Sequence, residues 1–200
     1  MYLAEDLIKT DWKEYDSLIQ SIYTSLSDYL EKNKLKIDVI VPVLRGGGIP
    51  AIGLSFKLKT LRIFPLQYKY LSDGKQNKPK LLLQSKKENL IGFEKKAPVF
   101  LVVEGNHATG NITQHIVADL KKEFPDAKII YVALTKDYFY KDSVKADFLV
   151  AGKYTNEMRK ISKEECEKLK IPFDKCYIFP WESEEEELTM LNEKPFDYNF

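Results

Sequence analysis

The chain has 200 residues, enough for one domain with a substantial core. Its 31 lysines and arginines against 30 aspartates and glutamates leave a net charge of +1, which argues against nucleic acid or an anionic membrane as a bulk partner, so any basic site must be local. No apolar run nears the ~20 residues that span a bilayer, the opening MYLAEDLIKTDWKEYD lacks a signal-type apolar core, and Cys166 and Cys176 have no nearby histidine to complete a zinc site. These features fit a cytoplasmic protein with free thiols.

The spacing of Trp12, Tyr15, Leu18, Ile19, Ile22, Tyr23, Leu26 and Leu30 predicts an amphipathic helix over 11–33, with Asp11 and Glu14 forming a capping box. Residues 37–44 (IDVIVPVL) read as a central strand buried on both faces. Arg45-Gly46-Gly47-Gly48 breaks it, and a helix follows over 49–58 with Pro50 in its first turn. A strand over 61–68 comes next, with Pro65 a mark against a fully central place. Residues 69–97 are lysine-rich and carry Gly74, Asn77 and Pro79, which predicts a mobile excursion or two-stranded flap. Further strands are expected over 99–104, 127–135, 147–151 and 176–179, with a helix over 111–124. Residues 183–200 form an acidic and polar tail.

Strands alternating with helices predict a single α/β domain over 1–200 with a mostly parallel central sheet flanked by helices. In such sheets ligands sit beyond the carboxyl ends of the strands. The residues to weigh are those just after each strand: 44–48, 104–113, 136–140 and 177–182.

LRGGG at 44–48 joins strand to helix with three glycines and an arginine, which suits pyrophosphate, although an ordinary tight turn fits too. Neither GxxxxGK[ST] nor GxGxxG is present. ATGNIT at 108–113 is a second such turn, where a helix N-terminus and two threonine hydroxyls fit a monoester phosphate. Its bland alternative is a side-chain N-cap by Thr109 or Asn111. Two such turns at one edge of one sheet favour a ligand. Lys136 follows a strand directly, and Tyr177 opens the aromatic run YIFPW, where core packing is the commoner use. His107 lies in the glycine loop and could touch a ligand. His115 falls within the helix.

Together these pieces resemble the type I phosphoribosyltransferases, especially the xanthine–guanine and hypoxanthine–guanine branch of purine salvage. The resemblance covers about residues 10–182. DVIVPVLRGGGIPA is similar to the first strand and pyrophosphate loop, and 69–97 takes the place of the mobile loop. VFLVVEGNHATGNIT resembles the signature strand and phosphoribosyl-pyrophosphate loop, YVALTK ends in the purine-binding lysine, and 147–182 resembles the base-binding hood.

The resemblance implies transfer of phosphoribosyl from phosphoribosyl pyrophosphate to a purine base, with Mg²⁺ and, as is usual in that family, a homodimer. Leu44, Arg45 and Gly46 would hold pyrophosphate. Ala108, Thr109, Gly110, Asn111, Ile112 and Thr113 would hold the 5′-phosphate. Lys136, Tyr177 and Ile178 would meet the base. Glu104 would act at the ribose hydroxyls or on a metal-bound water. Three features depart from the family pattern: Gly105 stands where a second acid is usual, Ala108 where an acid precedes Thr-Gly, and Thr113 comes one residue late. The departures motivate a rival reading, a relative that binds a nucleotide or phosphoribosyl pyrophosphate as a sensor. A third reading is an enzyme acting on another phosphorylated ribose compound or catalysing a hydrolytic reaction.

Overall fold

The computed structural model describes residues 1–72 and 77–193. Four strands form the central sheet: β2 (Val39–Pro42), β5 (Val99–His107), β6 (Lys128–Asp137) and β7 (Phe148–Thr155), in the order β2-β5-β6-β7. All three pairings are parallel. Both faces of this sheet are buried, as the unbroken apolar runs require. Helices α1 (Trp12–Lys32) and α2 (Gly48–Leu58) cover one face, packing Leu18, Ile22, Leu26 and Leu54 against Ile40, Leu101 and Val132. Helix α3 (Asn111–Glu123) covers the other, with Ile116 and Leu120 against Val41, Phe100, Val102 and Tyr131.

The capping box at the start of α1 is present: Glu14 N–H donates to Asp11 Oδ1 at 2.7 Å and Asp11 N–H to Glu14 Oε2 at 3.1 Å. The expected strand over 61–68 is not a member of the main sheet. Only single bridges at Ile63 and Leu66 flank β2, because Pro65 has no N–H to continue the ladder. Instead β3 (Leu66–Ser72) pairs antiparallel with β4 (Asn77–Gln84), which is the two-stranded flap expected from the lysine-rich segment. Residues 73–76 of that segment lie outside the described residues.

A small third core lies over the C-terminal end of the sheet. Strand β8 (Cys176–Ile178) pairs in parallel with β1 (Leu7–Lys9), and Tyr2, Leu7, Cys176, Ile178 and Leu191 are buried together. Leu191 belongs to α5 (Glu184–Glu193), so the acidic tail contributes a helix to the body; residues 194–200 lie outside the described residues. A short helix α4 (Lys163–Leu169), capped by Ser162, precedes β8. No helix among the described residues is long and apolar enough to cross a membrane.

Candidate functional site

The carboxyl ends of β2, β5 and β6 bring the two glycine turns and Lys136 to one edge. Gly46 and Gly105 lie back to back: a Cβ on Gly105 would sit 3.0 Å from the Gly46 backbone. Gly47 is tighter still, its Cβ position 2.8 Å from the Val43 carbonyl oxygen and closer to that of Val103. The glycines of the first turn therefore serve close approach of backbone to backbone. The Leu44–Arg45 peptide is cis. Arg45 reaches out from the turn to an ion pair with Glu186 of α5, and Glu182 Oε1 lies 3.9 Å from where a Gly46 Cβ would stand.

In the second turn Gly110 has φ +80°, the left-handed region, and acts as the N-cap of α3 without any side-chain bond. α2 likewise starts at Gly47 with no side-chain cap. By contrast α1 and α4, which start elsewhere, are capped by Asp11 and Ser162. The alternative of a side-chain cap at α3 thus gives way. Thr109 Oγ1 accepts only a long 3.5 Å bond from Asn111 N–H. At α3 the first N–H groups are left without a side-chain cap, as an anion requires, whereas at α2 Gly48 N–H donates to the Arg45 carbonyl at 2.9 Å and Pro50 has no N–H to offer.

Thr113 corrects one expectation. Its hydroxyl does not face the turn: Thr113 is 0% exposed and donates to Glu104 Oε2 at 2.7 Å. Position 113 falls one residue further round α3 than the family spacing, which carries the side chain to the sheet face of the helix. Only its backbone N–H stays with the turn.

Glu104 sits at the centre of this inward network. Its Oε2 accepts from the Tyr131 hydroxyl as well as from Thr113, and His107 Nδ1 lies 3.5 Å away. Burial pushes its carboxyl up, but the bonds from His107, Tyr131 and Thr113 outweigh burial and the net direction is down. His107 is buried, its Nδ1 at 2.6 Å from the Tyr131 hydroxyl and its Nε2 at 2.9 Å from Ser143 Oγ. Burial drives its pKa down, against the opposing pull of Glu104. A Cβ on Gly110 would come within 2.6 Å of the His107 ring. His107 is therefore the floor of the anion turn, not a group open to ligand.

Lys136 is paired in register with His107 and is 0% exposed. Its Nζ has no hydrogen-bond partner, lying only 5.7 Å over the Tyr131 ring. Burial lowers its pKa from 10.5 to about 8, against the pull of Glu104, Asp142 and Asp137. The adjacent Asp137, pushed up to about 6 by burial, fixes the next loops by accepting from Met158 N–H at 2.7 Å and Phe139 N–H at 3.0 Å. Sequence reasoning missed this carboxylate, whose only signal was its place directly after Lys136.

Tyr177 is half-buried on β8, with Lys153 Nζ 4.6 Å over its ring. β8 is carried towards the end of β5 by Cys176, whose Sγ lies 3.9 Å from Asn106 Nδ2. Ile178 is a second correction. Neighbouring residues of a strand point to opposite sides, and its side chain is buried in the third core while its carbonyl accepts from Thr10 N–H at 2.9 Å.

The Mg²⁺ implied by the sequence resemblance finds few donors. Magnesium takes about six oxygens in near-octahedral array, commonly one or two carboxylates plus water and substrate phosphate. The nearby carboxylates are already engaged: one oxygen of Glu104 is held by two hydroxyls, Glu157 accepts from Asn106 Nδ2 at 2.6 Å and Glu182 from Phe179 N–H at 2.9 Å, and among the described residues no three acids, histidines or cysteines gather as a metal site. The neighbouring candidate positions are Gly105 and Ala108. The set does not fit a protein-held ion.

No protein-family model and no curated protein matches the sequence. Solved structures do match. A purine phosphoribosyltransferase from Pyrococcus horikoshii superposes with a TM-score of 0.61 at 23% identity, over 89% of this chain and 95% of that one. The xanthine-guanine-hypoxanthine phosphoribosyltransferase of Helicobacter pylori gives 0.61 at 16% identity, over 92% and 99%. The chain has the type I phosphoribosyltransferase fold. A Neisseria gonorrhoeae protein solved with bound ppGpp shares this shape as well, at TM-score 0.65 and 15% identity over 94% and 96%.

Proposed function

We propose that the cleft binds a purine ribonucleotide or its phosphoribosyl precursor. The 5′-phosphate would rest on the uncapped start of α3, further phosphates on Leu44, Arg45 and Gly46, and the base against Lys136 and Tyr177. The observation that carries this reading is the Lys136 ammonium, fully buried and without a partner. An unpaired charge in such a place costs several kcal/mol, and a carbonyl oxygen of an oxopurine aimed at Nζ would offset it. Calorimetric titration with GMP tests the reading: saturable binding is expected, and no binding by GMP or phosphoribosyl pyrophosphate sinks it.

Two roles can rest on such a site. In the first, purine-type phosphoribosyl transfer, a ring nitrogen of the base bonds to C1 of the ribose. The C1–O bond to pyrophosphate breaks, pyrophosphate leaves with the electron pair, and the nitrogen loses its proton. The retained binding groups support this role. The second role, a nucleotide sensor, is favoured by Gly105, which packs against Gly46 where a second carboxylate would crowd the backbone at 3.0 Å, and by Ala108. Loss of acid–base assistance typically slows a reaction by ~10²–10⁴, so binding outruns chemistry here. The Neisseria gonorrhoeae protein with ppGpp is compatible with the sensor role. Pyrophosphate release across a panel of purine bases at high protein concentration separates the two. A homodimer also belongs to this reading. Ile49, Ile52 and Phe56 lie exposed along one side of α2, where a second copy could pack, and sedimentation over a concentration series decides it.

A further inference from the structure

In this chain the Glu104 carboxylate, near the end of β5, faces inward, and the positive charge at this edge of the sheet belongs to side chains. We infer that the site holds its phosphorylated ligand without a protein-held divalent cation, Glu104 acting as a positioning residue for the anion turn and Lys136 with Arg45 supplying the charge. The inference rests on the nucleotide-binding reading and specifies how that site works.

Three observations converge on it. Glu104 is a strut. Its Oε2 is held by Thr113 on the first turn of α3 and by Tyr131 on β6, which ties the helix start to two strands of the sheet. With His107 beside it and under Gly110, the same cluster sets the floor and the entrance angle of the turn. A metal drawing Glu104 outwards would have to break bonds that hold the phosphate site itself.

The second observation is steric. A side chain at position 105 would meet the Gly46 backbone at 3.0 Å, so anything but glycine next to Glu104 pushes the first turn back by a few tenths of an ångström. A carboxylate there would displace the turn that is to hold pyrophosphate.

The third is charge. The Lys136 ammonium lies over the ring of Tyr131, whose hydroxyl is bonded to Glu104, and attracts that carboxylate without a direct ion pair. A dication placed at Glu104 would be repelled by that ammonium in a site of low dielectric, where such terms are large. Lys136 occupies the electrostatic place that a divalent ion would otherwise fill. Arg45, at the other turn, is held by Glu186 in a surface ion pair that a phosphate can replace.

GMP is the suitable probe, because a nucleoside monophosphate binds magnesium weakly in solution and the ion's effect on the ligand itself stays small. Calorimetric titrations are run on the full chain in EDTA and in excess magnesium chloride. The dissociation constants are expected to agree within about twofold. A gain beyond about threefold on adding magnesium overturns the inference while the binding reading stands. Absence of binding in both buffers overturns the binding reading and this inference with it. Lys136→Met provides a second arm: affinity is expected to fall more than about tenfold in both buffers, and recovery of that loss by magnesium overturns the assignment of charge to Lys136. Glu104→Gln is expected to keep the ratio between the two buffers near one. A ratio that differs between Glu104→Gln and the parent chain identifies Glu104 as a metal ligand and overturns its positioning role.

Discussion

Replacing Lys136 by methionine should stabilise the protein while removing its ligand. The ammonium is fully buried without a hydrogen bond, and its pKa falls from 10.5 to about 8, chiefly through burial. At about 1.4 kcal/mol per pKa unit, that drop is a folding penalty of about 3 kcal/mol. Methionine has a similar length and no charge to desolvate. The gain is an upper bound, since Glu104 would lose a neighbouring positive charge. A lysine with a depressed folded pKa carries its full penalty below about pH 8. The penalty fades as pH rises towards 10.5, because the folded state sheds its proton first. Urea unfolding followed by circular dichroism at pH 7 and pH 10 is the assay. Lys136→Met should exceed the parent by up to about 3 kcal/mol at pH 7, several degrees in melting temperature for a chain of this size, and the gap should narrow at pH 10. A variant no more stable than the parent at pH 7, or a gap independent of pH, refutes the reasoning that this lysine is held for a ligand at the expense of the fold.

Gly110→Ala should lose nucleotide binding and about 1–3 kcal/mol of stability: the position has φ +80° and its Cβ would strike the His107 ring and Ser143. Unchanged GMP affinity in calorimetry would contradict the placement of phosphate at this turn. Gly105→Asp should lower stability by about 1–3 kcal/mol through overpacking against Gly46 and should not raise transfer activity. A gain in pyrophosphate release would show that the turn yields easily. Glu186→Gln frees Arg45 from an exposed ion pair worth about 0–1 kcal/mol. Pyrophosphate should then bind up to about fivefold more tightly, with the melting temperature nearly unmoved, and weaker binding would contradict competition at Arg45.

The sheet was readable because its strands are short apolar runs rich in β-branched residues, two of which, β2 and β5, end in glycine turns, and both faces of β5 and β6 are filled by the residues that pattern names. β5 nevertheless runs on to His107, since Asn106 and His107 keep parallel pairing with Thr135 and Lys136 past the loss of apolar character. β1 and α4 are too short for periodicity to reveal, and β1 exists only because β8 lies beside it. The acidic start of α5 hides Leu191, a core residue. At the site, the glycines and Lys136 were legible from their places after strands. The direction of Thr113, Glu104 and His107 was not, because it depends on how α3 is phased against β5 and β6, which no local pattern records.

The contact between Gly46 and Gly105 makes the two turns answer to each other. A carboxylate returned beside Glu104 by one substitution would press its Cβ to 3.0 Å from the Gly46 backbone. The first turn would have to retreat in the same step, and Gly47, wedged against the Val43 and Val103 carbonyls, resists that movement. The altered loop is thus braced in its present form by its neighbour, and a carboxylate placed at position 105 would act on both turns at once.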